Sequence, residues 1–338
     1  MDDETEDGRD SKRRREEKDE PQRHDILWFS DGNVVLATDK YLFKVYKGLL
    51  SMHSSVFRDM FELPNVGRSS AGDIDDGSAQ EMYEGVPLIT LAGDKGEDVV
   101  HLLRALYDHR YYSCHSKDTP LETILALLLL SAKYDFKDLM TNVVKQISRQ
   151  FPTSLKKMDS IIDDDEPIFC EDQNDVGWPL LQAAHKCGVD ALLPILYFFC
   201  SNMDMDVILE EANSISPECL RTLHKGRDES IFMFSKLISD LPEHLKGDIG
   251  KSKCLDDRLC ANKARYFELS LLNTPYFFHT RGRDVVKDRL ANACKNCCSS
   301  VAKAIEKRRE EIWAKIPSFF GYSDWEGTRA SSNGVENS

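Results

Sequence analysis

A chain of 338 residues with a hydrophobic fraction of 41% is long enough for about two domains and for a core that needs no covalent staples. Its formal net charge of −14 favours solubility and excludes a general affinity for nucleic acid, which needs many cationic contacts to phosphate, so no direct nucleic-acid binding is expected. The polar N-terminus lacks the apolar core of a secretory signal, and the apolar run that includes Leu125 to Leu130, extended by Ile124, falls well short of the about 20 residues that span a bilayer. An intracellular protein, cytoplasmic or nuclear, is therefore expected, with no membrane partner and with its ten cysteines reduced.

Residues 1–24 hold ten acidic and seven basic residues with no apolar period, which predicts a disordered charged tail. Within it Lys12, Arg13, Arg14 and Arg15 fit a nuclear-import patch, or else a solvated charge run. Order is expected from Asp25. Ile26 to Phe29 and Asn33 to Thr38 read as strands separated by the turn signal Asp31-Gly32, and Tyr41 to Lys47 alternates partly. The period then switches to helical: Leu49, Leu50, His53, Val56, Phe57, Met60 and Phe61 predict one helix, ended by Pro64. Residues 65–82 are rich in Gly, Ser and Asp and read as a flexible insertion. Val86 to Leu91 gives another strand, and Val99, Leu102, Leu103 and Leu106 another helix. Leu121 to Tyr134 is apolar on nearly every face, which predicts a central buried helix, and Phe136 to Ile147 an amphipathic one.

Residues 159–175 carry eight carboxylates and no Lys or Arg, so a solvated linker or mobile loop is expected there, without the ligand spacing of a calcium loop. The second half reads as helical. Trp178 to Cys187 and Ala191 to Cys200 form a pair broken at Gly188, with Asp190 as N-cap. Ser216-Pro217 opens a helix interrupted at Gly226, and Lys295 to Ile316 forms the last long one, ended by Pro317.

The stretch Asp31-Gly32-Asn33-Val34-Val35-Leu36, then Phe43-Lys44-Val45-Tyr46-Lys47, Leu49-Leu50-Ser51 and Ser54 to Phe61, resembles the core of the BTB/POZ family. More narrowly, Trp28-Phe29, Leu102 to Asp108, Ala132-Lys133-Tyr134, Ser216-Pro217-Glu218, Gly226-Arg227 and Trp313 to Pro317 resemble the large BTB group found in fungi. The resemblance implies an α+β BTB/POZ fold, a small β-sheet flanked by helices, followed by a mostly α-helical C-terminal domain. The expected organisation is a tail at 1–24, the BTB/POZ domain at 25–155, an acidic linker at 156–176, a helical domain at 177–322 and a polar tail at 323–338.

The resemblance also implies protein partners, with a homo- or heterodimer formed through the BTB/POZ domain. Some family members bridge substrates to a cullin ubiquitin ligase and others recruit transcriptional co-regulators. Both remain as alternatives to a non-enzymatic interaction scaffold. The family's charged-groove aspartate and basic residue fall near Asp31 and Lys47, and Tyr46 stands where the family usually has histidine.

No catalytic pattern competes with that reading. Gly250-Lys251-Ser252 ends like a phosphate-binding loop, but Leu245 stands where the loop needs glycine. The cysteines carry the one chemical hypothesis. Cys254 and Cys260 upstream, with Cys294 and Cys297 just before the last long helix, can close a tetrahedral structural zinc site, with Cys298 as a substitute ligand. The alternative is a set of ordinary half-buried thiols, since the upstream spacing exceeds the usual two to four residues.

Overall fold

The computed structural model describes residues 20–62, 81–249, 254–255, 260, 277–289 and 293–325. Residues 1–19 of the expected tail with its Lys12–Arg15 patch, Pro64 and most of the expected insertion lie outside the described residues, whereas Gln22 to His24, expected in the disordered tail, are already part of the first strand. Described residues up to Arg104 form one compact unit and those from Ala105 onward a second.

The first unit is built on a sheet of β1 (Gln22–Trp28), β2 (Val34–Ala37), β3 (Tyr41–Val45), β4 (Met82–Tyr83) and β5 (Val86–Thr90), in the order β1-β3-β2-β5-β4. β2 and β3 are an antiparallel hairpin with Val34 opposite Val45, whereas β1–β3 and β2–β5 are parallel. Glu84 and Gly85, with φ of 47° and 80°, make the turn of the β4–β5 hairpin, and a turn with both residues left-handed matches the twist of paired strands. All four residues of β2 are buried. Val35, Ala37 and Leu42 pack on one face with Trp28, Tyr83, Val86 and Leu88. A strand covered on both faces needs an unbroken apolar run, and Val34-Val35-Leu36-Ala37 supplies it.

The helix expected from Leu49 to Phe61 is two helices, α1 (Lys47–His53) and α2 (Ser55–Glu62). Ser54 separates them: its backbone is extended, at φ −135° and ψ 121°, and its hydroxyl accepts the Phe57 N–H at 2.9 Å. A serine that can cap a new helix competes with continuing the old one, which periodicity alone does not register. α3 spans Gly96–Tyr107.

Among the described residues the remaining helices are α4 (Leu121–Lys133), α5 (Lys137–Gln150), α6 (Leu155–Asp164), α7 (Gln173–Cys187), α8 (Leu193–Ser201), α9 (Met205–Glu211), α10 (Pro217–Ile249), α11 (Gly282–Arg289), α12 (Lys295–Trp313) and α13 (Ile316–Phe319), with a 3-10 turn at Phe277–His279. Every residue of α8 is buried. Phe198 on it meets Phe277, Phe278 and Trp313 edge-on at ring separations of 5.5–5.6 Å, the arrangement the aromatic quadrupole favours. The Trp313 indole N–H reaches the Thr153 carbonyl at 2.8 Å, so the buried ring leaves no polar atom unpaired.

Several expectations for this half are corrected. The acidic stretch expected as a linker carries the end of α6, and Ile168 and Phe169 beyond it are buried. α7 starts at Gln173, five residues ahead of Trp178, because Asp172 caps it by accepting the Asn174 N–H. The following helix starts at Leu193 with Pro194 in its first turn, and Asp190 is not its cap. α10 runs through Gly226 without interruption. The glycine serves packing: a Cβ there would lie 2.0 Å from a ring carbon of Phe320. The last long helix stops at Trp313, and Pro317 sits in the first turn of α13. In the expected polar tail, Trp325 stacks on Trp313 and donates its indole N–H to the Trp313 carbonyl at 2.9 Å.

Candidate metal centre and interaction face

Four of the ten cysteines gather at one point. Cys294 has extended backbone (φ −67°, ψ 153°) as the N-cap of α12, so the chain turns into the helix there and Cys297 follows in its first turn. Residues three apart in a first turn face the same side. The Cys254 sulfur lies 3.7 Å from that of Cys260, 3.9 Å from that of Cys294 and 3.6 Å from that of Cys297, and all four sulfurs lie within 4.8 Å of one another. Cys260 and Cys297 are buried, with Val285, Val301 and Ile305 around them.

The electrostatics favour thiolate character at one edge. The backbone N–H groups of Leu255 and Cys297 point at Cys294 and draw its thiol down to about 6. Burial, reinforced by the neighbouring sulfurs, pushes Cys297 upward. The Cys294 N–H also donates to the Cys260 sulfur at 3.3 Å. Cys298, weighed as a substitute ligand, stands apart and donates to the Ala293 carbonyl at 3.6 Å.

A second polar cluster went unread in the sequence. Arg309 on α12 is fully buried and grips Asp159 of α6 with two parallel bonds of 2.9 and 3.0 Å, while Glu306 accepts a third at 2.8 Å. Its guanidinium lies over the Phe277 ring, 4.8 Å from the centroid. Arg281, also buried, binds Asp163 and donates to the Asp159 carbonyl at 3.2 Å, and Arg283 holds the other Asp163 oxygen at 2.8 Å. Hydrogen bonds from Arg281, and then Arg283, hold the Asp163 carboxyl below its usual range. The signal available in the sequence was Met158, Ile161 and Ile162 at helical spacing beside the acids.

Asp31 and Lys47 are not brought together. Asp31 accepts the Tyr46 hydroxyl at 2.5 Å, a bond that holds its carboxyl below the usual range and raises the tyrosine. The Lys47 ammonium lies 5.5 Å from the centroid of the Phe61 ring, and the Lys47 backbone N–H donates to Asn33 at 2.8 Å. The tyrosine in place of the family's histidine thus occupies the aspartate itself. Close by in sequence, β1 lies at one edge of the sheet, with Ile26 63% exposed, and Met52 on α1 is 68% exposed.

Among the described residues no helix is long and apolar enough to cross a membrane. No curated protein and no solved structure matches the chain. The family model of the BTB/POZ domain matches residues 29–150, a span that takes in four of the five strands whole and helices α1 to α5. A small mixed sheet flanked by helices is the architecture that match implies, and the chain accordingly carries a BTB/POZ domain at residues 29–150.

Proposed function

We propose that the chain is a non-enzymatic protein-interaction scaffold that dimerises through its BTB/POZ domain, with the helices of 177–322 forming a separate function-bearing part. The domain match at residues 29–150 carries the reading, because BTB/POZ domains mediate protein–protein interaction. Two features of the first unit support it. β1 is an edge strand, and an open edge is a template for pairing with another chain. Ile26 and Met52 are large apolar side chains left mostly exposed, one on that edge strand and one on α1.

Light scattering on the full chain at tens of micromolar tests the dimer. The expected mass is twice the 38.6 kDa of one chain, falling to the single-chain value in the variant carrying Ile26→Arg and Met52→Arg. A strict monomer in the unaltered protein would defeat the proposal. Pull-down of a cullin by the full chain, lost in the same variant, would separate an adaptor for a ubiquitin ligase from scaffolding alone.

A further inference from the structure

Five cysteines lie within a short distance of the N-terminus of α12, and four of them are arranged as a ligand set. A zinc ion bound tetrahedrally by thiolates at about 2.3 Å requires its sulfurs to stand about 3.8 Å apart. The three sulfur separations around Cys254 are 3.6, 3.7 and 3.9 Å, so the four positions already fit such a shell. The fifth sulfur, Cys298, is engaged with a backbone carbonyl and stands outside the group. Cysteines buried for packing alone have no reason to select four sulfurs at these separations.

We infer that Cys254, Cys260, Cys294 and Cys297 bind one structural zinc ion that pins Cys254 and Cys260 to the start of α12. The donor set is all sulfur, which suits zinc and iron among the common metals and disfavours magnesium and calcium. Four protein ligands close the shell and leave no position for water or substrate, so the centre is structural and not catalytic. Binding of Zn²⁺ to four thiols releases up to four protons and leaves a centre of charge −2, and backbone N–H groups of Leu255, Cys294 and Cys297 already point at the sulfurs.

The surroundings show what the metal would hold. Among the described residues, Val285, Val301 and Ile305 are buried here beside two of the cysteines, with Val286 and Ala293 packed against them. A metal ion bound at this point would add to that packing by offsetting the entropy of ordering the ligand-bearing chain. What the pin holds is consequential. α11 and α12 approach so closely that a Cβ on Gly282 would lie 2.3 Å from the Ala302 carbonyl oxygen, and Arg281 and Arg309 are carried into register with Asp159 and Asp163 by this pair.

Elemental analysis of the full chain, purified under reducing conditions, tests the inference. One zinc per chain is expected, unchanged in Cys298→Ser and lost in Cys297→Ser. Should Cys297→Ser fail to fold, cobalt substitution of the unaltered protein supplies the second readout: thiolate-to-cobalt charge transfer with the intense visible bands of a tetrahedral centre. Metal-free reduced protein, iron in place of zinc, or zinc lost equally from Cys298→Ser would each overturn the assignment.

Discussion

Replacing Asp159 by asparagine should cost the protein about 3 kcal/mol, although the residue lies in a stretch that reads as a solvated loop. The carboxylate accepts both terminal nitrogens of Arg309, whose side chain is fully buried, at 2.9 and 3.0 Å. Asparagine keeps the shape, removes the charge and retains one acceptor of the two. Removing one partner of a buried ion pair typically costs about 3–5 kcal/mol, because the remaining charge stays out of water without compensation. Glu306 still reaches Arg309 at 2.8 Å and offsets part of its charge, which places the cost at the lower end of the range; at 42% exposure water screens that contact, so the offset is only partial.

For a unit of this size that loss corresponds to a fall in Tm of about 6–12 °C. Thermal and urea unfolding of the full chain, followed by circular dichroism and by the fluorescence of Trp313 and its neighbours, measures it. Glu306→Gln should cost clearly less. The paired change Asp159→Leu with Arg309→Met should recover part of the loss, since apolar replacement of both partners leaves no orphaned charge. A destabilisation below about 1 kcal/mol for Asp159→Asn would refute the reasoning, by showing that Arg309 finds solvent or another partner.

Two further outcomes concern the same part of the fold. Gly226→Ala should destabilise by about 1–3 kcal/mol, seen as a lower urea midpoint with an unchanged slope, because the new methyl would meet the Phe320 ring at 2.0 Å. That outweighs the about 1 kcal/mol that alanine gains over glycine in a helix, so a more stable variant would sink the packing argument. The folded pKa of Asp163 is depressed by Arg281 and Arg283, so its contribution is present above the unfolded value of about 3.9 and is lost as pH falls through the lower folded value. Stability should therefore decline on acidification below about pH 4, and Asp163→Asn should flatten that part of the profile; an unaltered slope would count against the ion pairs.

Residues differed in how far they could be read before the fold was known. Val34 to Ala37 and Tyr41 to Val45 were legible as strands because alternation and turn residues act locally, and Gly188 was legible as a helix end because only its own backbone, at φ +65°, decides it. Ser216 was legible for the same reason, its hydroxyl accepting the Cys219 N–H at 3.1 Å. Gly226 was misread as a break, because its reason for being glycine is a ring that arrives from α13's end of the chain. The acids at Asp159 and Asp163 were misread as solvated, because the arginines that hold them lie more than a hundred residues away.

The amino-acid sequence by itself determined the BTB/POZ core, the helical character of the second half and the identity of the four cysteines that could meet. The first rests on resemblance to a known family, and the other two on local periodicity, capping and spacing, which need no knowledge of distant partners. Only the tertiary structure decided that Cys298 stands outside the group, that Tyr46 occupies Asp31, and that Arg309 is buried against α6. Each depends on two segments converging in space, and the free energy of such a contact is set by geometry and desolvation that neither segment carries alone.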